Sequence, residues 1–136
     1  MADFNIKYNI SPDTRAPVRF VDDAELAYVM TRYREVHDLL HALVGMPTDM
    51  VGEVAVKWIE ALQFGLPMCV GGAMLGPLRF NKSSQFKRYN VYRPWAIKIG
   101  TKSRFILNVY YEQRWEQDIE DLRREMRIDP IPQISP

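Results

Sequence analysis

From Leu26 onward, apolar residues recur at spacings of three and four: Leu26, Val29, Met30, Tyr33, Val36, Leu40, Leu43 and Val44. That period places them along one side of an α-helix. Asp22, with Glu25 three residues on, has the form of a capping box at its start; Gly45 can end it, and Pro47 follows. Thr48 is a good cap for a second helix whose buried face is Met50, Val51, Val54, Trp58, Ile59 and Leu62, closed by Gly65 and Pro67. Leu66 to Leu78 is apolar nearly all round, which predicts a helix that is buried or meets lipid, with Gly71, Gly72 and Gly76 marking close backbone packing. A helix over about 84–99 is poorly patterned, because Pro94 and Gly100 divide the segment. Tyr111, Trp115, Ile119, Leu122 and Met126 step at helical spacing and predict a last helix, with Glu120 and Arg124 as an i,i+4 pair. No run alternates as a half-buried strand would. The expected class is all-α, a helical bundle in which an antiparallel helix pair comes first. Residues 1–21 read as an irregular arm, 22–128 as the helical domain and 129–136 as an extended tail.

Composition narrows the classes. The chain has 136 residues, 47% hydrophobic and 26% charged, which suits one globular domain and excludes wholesale disorder. A single cysteine, Cys69, excludes an intrachain disulfide framework and any multi-cysteine zinc site. The longest mainly apolar run is too short for a spanning helix, which needs about 20 residues. The first residues carry no signal-peptide core or Arg-rich presequence, so the chain as written carries no address.

Both histidines fall in the first helix, four residues apart, in the segment His37-Asp38-Leu39-Leu40-His41. At about 100° per residue the two imidazoles point some 40° apart, so they and the Asp38 carboxylate can face one ion. The spacing is that of zincin helices, but Asp38 replaces their glutamate, and its shorter arm suits a ligand or an orienting group. If the second helix returns antiparallel, Glu53 stands at the height of His41, as in helix-bundle carboxylate sites. The set His37, Asp38, His41 and Glu53 suits Zn²⁺ first, and Fe²⁺ or Mn²⁺ next. The plainer alternative stays open: histidines hydrogen-bonded in the core, and Glu53 paired with Lys57 on a solvated face.

The net charge of +1 hides a segregation. No acidic residue occurs from Ala61 to Tyr111, whereas eight basic ones do: Arg79, Lys82, Lys87, Arg88, Arg93, Lys98, Lys102 and Arg104. Basic and aromatic residues beside an apolar segment are what a peripheral membrane surface needs. An ordinary solvated face is the alternative. No nucleic-acid recognition motif is present, and no nucleic-acid partner is expected. The acidic last helix against the basic middle permits a homodimer.

Four stretches, residues 11–23, 25–48, 52–69 and 107–126, closely resemble the ubiquinone (coenzyme Q) biosynthesis protein 4 family. The segment HDLLHALVGMPTDMVGE matches that family's HDxxHx11E pattern at every defining position. The resemblance implies an all-α, lipid-binding protein held peripherally on the matrix side of the mitochondrial inner membrane, within a multi-subunit complex of coenzyme Q biosynthesis proteins. It implies a metal-dependent decarboxylase of the lyase type, acting on a polyprenylated 4-hydroxybenzoate-type lipid, with replacement of the C1 carboxylate by a hydroxyl. A non-catalytic lipid-binding scaffold is the alternative role. By position, the family's metal ligands, usually of zinc, become His37, Asp38, His41 and Glu53, acting catalytically through the metal. Family members carry a further N-terminal region, and residues 81–102 are more basic and tyrosine-rich than the family pattern.

Overall fold

The structure, a computed structural model, describes residues 17–134. Among the described residues five α-helices follow in order: α1 (Ala24–Val44), α2 (Met50–Phe64), α3 (Pro67–Leu75), α4 (Ser83–Lys102) and α5 (Ile119–Met126). Short 3-10 turns at Gly76–Arg79, Ile106–Asn108 and Tyr111–Gln113 join them. No strand occurs among the described residues, and the all-α expectation is met. No described helix is long and apolar enough to cross a membrane. Residues 1–16 of the expected N-terminal arm, and 135–136 of the tail, lie outside the described residues.

The caps sit one residue later than the pattern indicates. Asp23, not Asp22, caps α1, its carboxylate accepting from the Leu26 amide at 2.9 Å. Asp49, not Thr48, caps α2, accepting from the Gly52 amide at 2.9 Å. Either neighbour has the side-chain oxygen a cap needs. The choice between them falls to where the helix enters the core. Gly45 ends α1 with φ 72, a left-handed conformation that glycine adopts without strain. Its turn returns the chain so that α2 runs back along α1.

The core is built on α2, which packs most extensively on α4 and α3. Val51, Val54, Ala55, Val56 and Ile59 from α2 meet Tyr89, Tyr92, Trp95, Ala96 and Ile99 from α4, with Leu40, Leu43 and Val44 closing one side. This packing explains why the poorly patterned helix expected over about 84–99 does form, as α4, and runs unbroken through Pro94. A mid-helix proline costs about 3 kcal/mol. The buried aromatic and apolar residues on either side of it outweigh that cost.

Three expectations fail for physical reasons. Of the two environments expected for the α3 run, burial fails: only Cys69 and Ala73 are buried, while Met68, Val70, Met74 and Leu75 face outward, and Leu78 follows them in the 3-10 turn. Gly72 and Gly76 do pack closely, against Lys57 and Val54, but Gly71 has nothing near it. The last helix begins at Ile119 instead of continuing from Tyr111, because Asp118 accepts from the amides of Glu120 and Asp121 and starts a helix there. Trp115 is left exposed before it. Within α5 the ion pairs run Glu120–Arg123 and Asp121–Arg124, at i,i+3, in place of Glu120–Arg124.

Candidate metal centre

The site is made by two stripes that face each other. On α1, Tyr33, His37 and His41 succeed one another every four residues; on α2, Glu53, Lys57 and Glu60 follow at i, i+4 and i+7. Those spacings keep each set on one helix face. Because the helices run antiparallel, His41 and Glu53 meet near the turn, and Tyr33 and Glu60 meet one level deeper. His37 lies between and reaches both carboxylates.

His37 Nε2 is 3.4 Å from Glu53 Oε2, and His41 Nε2 is 3.4 Å from Glu53 Oε1. One ligand atom from each of the three residues falls within 4.8 Å of the others. The His41 side chain is 1% exposed, His37 11% and Glu53 38%, so the site opens outward at the carboxylate. The imidazoles stand edge to face, 5.0 Å between centroids.

The outer nitrogens decide what the inner ones can do. His37 Nδ1 lies 2.7 Å from Glu60 Oε1, and His41 Nδ1 lies 3.1 Å from the Met46 carbonyl. Both partners are acceptors, so each Nδ1 carries a proton, and each Nε2 of a neutral ring turns a lone pair toward Glu53. Lone pairs facing a carboxylate repel it unless a cation or a proton stands between them. His41 Nε2 is buried with no hydrogen-bond partner. A buried polar atom left without a partner is costly, and a bound cation would satisfy it. The donor set, two imidazole nitrogens and a carboxylate with an open side, fits zinc.

In the metal-free chain the carboxylates and imidazoles act on one another directly. Burial alone would lower His37, but the Glu53 and Glu60 carboxylates outweigh it and raise the imidazole pKa to about 9. Burial would raise Glu53, yet the His37 and His41 imidazoles pull it well below the usual carboxylate range. Glu60 is likewise lowered, its burial overcome by His37 and then Lys57.

Three of the four residues singled out from sequence thus converge. Asp38 stands on α1 at intermediate burial, outside the converging set. The expected alternative for Glu53, a pair with Lys57, is not the contact Lys57 makes: its Nζ lies 2.7 Å from Glu60 Oε2. Glu60 itself escaped the sequence reading. Its signal is an acid two turns after Glu53 on the apolar side of α2, next to Ile59 and four residues after Val56.

Comparison with known proteins supplies the family. The family model described as Coenzyme Q (ubiquinone) biosynthesis protein Coq4 matches residues 1–132. The ubiquinone biosynthesis protein COQ4 homolog, mitochondrial, of Mus musculus is 59% identical over 123 residues, covering 90% of this chain and 46% of that protein. The proteins of the same name from Xenopus laevis (58%, covering 93% of this chain and 44% of the relative) and Aedes aegypti (55%, covering 94% and 47%) are similar in extent. The chain therefore spans less than half the length of these curated relatives. The HDxxHx11E spacing that suggested the resemblance is the spacing that sets His37, His41 and Glu53 around one point, and the chain belongs to the Coq4 family of coenzyme Q (ubiquinone) biosynthesis proteins.

Proposed function

We propose that this chain serves coenzyme Q biosynthesis in the mitochondrion as the metal-dependent part of an oxidative decarboxylase acting on a polyprenylated 4-hydroxybenzoate-type lipid. It would work with other coenzyme Q biosynthesis proteins on the matrix side of the inner membrane. The observation that carries the reading is the unpartnered, buried His41 Nε2 facing Glu53 beside His37 Nε2. Bound there, Zn²⁺, or Fe²⁺ or Mn²⁺ in its place, supplies a Lewis acid for a substrate carboxylate or phenolate oxygen. His37, His41 and Glu53 would hold it, and Asp38 would complete or orient the set. The buried rings keep water from the inner side, and the half-exposed Glu53 leaves the outer side to substrate. In the overall conversion the bond from the ring to the carboxylate breaks with release of CO₂, and a ring hydroxyl forms at the same carbon from one atom of dioxygen, the other leaving as water with two electrons from a reductant and two protons.

Elemental analysis of the purified chain, His41→Ala and Glu53→Ala tests the ligand set. The wild-type chain should retain zinc through gel filtration and the folded variants should not; equal metal content in all three would end the reading. Turnover of a prenylated hydroxybenzoate analogue to the hydroxylated ring and CO₂ tests the chemistry.

A second reading, a lipid-presenting scaffold docked on the membrane, is favoured by a specific surface. Met74 and Leu75 of α3 and Leu78 just beyond it are 64%, 62% and 81% exposed, in a stretch without a single acid. Basic residues beside outward apolar ones suit anionic lipid. Lipid binding without turnover by the metal-loaded protein would favour this role over catalysis.

A further inference from the structure

The residue behind His37 is as closely built as the site in front of it. Glu60 is fully buried. Its Oε1 accepts from His37 Nδ1 at 2.7 Å. Its Oε2 accepts from Lys57 Nζ at 2.7 Å and from the Tyr33 hydroxyl at 3.2 Å, with the Cys69 thiol at 3.6 Å. Lys57 also donates to the Tyr33 hydroxyl at 3.0 Å, which turns the Tyr33 proton toward Glu60 or Cys69. Three helices, α1, α2 and α3, thus contribute donors to one carboxylate.

A lysine–glutamate pair on a solvated surface needs none of this. Burying a carboxylate costs several kcal/mol, recovered only when its oxygens are fully used. Here one oxygen is taken up by Lys57 and its neighbours, and the other is left to a single task, the His37 Nδ1 proton. A neutral imidazole has two tautomers, and the group that accepts from one nitrogen decides which nitrogen is free to ligate. His41 receives the same service from a neutral backbone carbonyl at 3.1 Å, a weaker acceptor than a carboxylate at 2.7 Å. Glu60 is not one of the three converging ligands.

We infer that Glu60 is a positioning residue: with Lys57 and Tyr33 fixing its far oxygen, it holds the proton of His37 on Nδ1 and so commits Nε2 to the metal. The inference rests on the metal-centre reading above. It also fixes the role of Lys57, which keeps the carboxylate turned so that the correct oxygen faces the ring.

The near-isosteric Glu60→Gln variant makes the point testable. With Lys57 holding the amide oxygen, the amide N–H₂ faces His37 Nδ1, favours the Nε2–H tautomer and opposes ligation. Zinc affinity, measured on the full chain by competition with a chelator, should fall by about 10- to 100-fold. Adding Lys57→Met frees the amide to turn its oxygen toward His37, and the double variant should bind more tightly than the single one. A role confined to the buried ion pair gives no such recovery. Side-chain ¹⁵N NMR of the zinc-loaded wild type should show His37 protonated at Nδ1 and metallated at Nε2. Wild-type zinc affinity in folded Glu60→Gln, or His37 ligating through Nδ1, overturns the inference. If the wild type binds no zinc, the metal reading has failed. Glu60 is then judged on the His37 tautomer of the metal-free chain at alkaline pH, where Nε2–H in the wild type counts against it.

Discussion

The turn between α1 and α2 sets the register of the site, and Gly52 is where that register is most exposed to a single atom. A methyl group at Gly52 would stand 1.8 Å from the Pro47 carbonyl oxygen and 2.9 Å from its carbon. To open that gap to even 3.0 Å, the tightest approach real side chains tolerate, the turn must move by 3.0 − 1.8 = 1.2 Å. The obstacle is backbone, so no rotamer change relieves it. Overpacking of this kind costs about 1–3 kcal/mol. About 1 kcal/mol returns because alanine is the better helix former. We therefore expect Gly52→Ala to destabilise the metal-free chain by up to about 2 kcal/mol. The effect on the site should be larger in proportion. Glu53 is the next residue, and the Met46 carbonyl that holds His41 Nδ1 at 3.1 Å belongs to the same turn. Metal–ligand distances tolerate only about 0.2 Å, so the variant should lose zinc affinity by more than tenfold. Thermal melts with and without zinc read both effects, and the variant should show a lower melting point in chelator and little rise on adding zinc. Gly71→Ala is the control. Nothing lies within 4 Å of a methyl group there, so it should stabilise the chain by about 0.4–1 kcal/mol and leave the zinc response intact. A Gly52→Ala protein with wild-type melting and a full zinc shift would refute the argument.

Other consequences follow from the same contacts. His37 is raised from its ordinary 6.5 to about 9 in the folded, metal-free chain. Its contribution to stability is therefore fully present below about pH 6.5 and lost as pH rises through 9. Urea midpoints in chelator should fall across that window, and a flat profile would contradict the ion pairs. Arg123 donates from Nε to the Leu43 carbonyl at 2.6 Å and from its terminal nitrogen to Ala42 at 3.1 Å, closing the C-terminus of α1. Arg123→Ala should cost about 1.5–3 kcal/mol in denaturant titration, with little recovery from Arg123→Lys, which lacks the planar fork. Met74→Asp with Leu78→Asp should sharply reduce co-sedimentation with anionic vesicles while preserving zinc binding; undiminished sedimentation would remove the membrane role of α3.

How far the sequence foretold this arrangement depends on what each residue answers to. The stripe on α1 and the Gly45 stop are local matters of period and backbone conformation, and both were legible. So was the meeting of His37, His41 and Glu53, because a short turn leaves little choice of register between antiparallel helices. The helix over 84–99 was only faintly legible, because at Pro94 local propensity argues for a break, while Tyr89, Tyr92, Trp95 and Ile99 are held by α2, which is distant in sequence. Trp115 misled in the opposite sense. Its spacing fits a helix, but the Asp118 side chain captures the amides that would have continued it. The all-round apolar run of α3 left burial and an outward, lipid-meeting face both open, since hydrophobicity states what a residue prefers and not what covers it.

Glu60 shows the deeper reason why part of the site was hidden. A carboxylate in an apolar stripe looks like an exception when each helix is read alone. It becomes intelligible only when Tyr33, Lys57 and Cys69 are seen to surround it from three helices. The same contacts tie the site to the core. Cys69 anchors α3 on Glu60, Glu60 holds His37, and His37 faces Glu53 beside His41. A displacement of α3 thus reaches His37 through one carboxylate, whereas the Nδ1 of His41 is held by the turn that ends α1. The two histidines are chemically alike and four residues apart, yet they are governed by different parts of the fold. Changes at the α1–α2 turn should act through His41 and Glu53, and changes under α3 through His37.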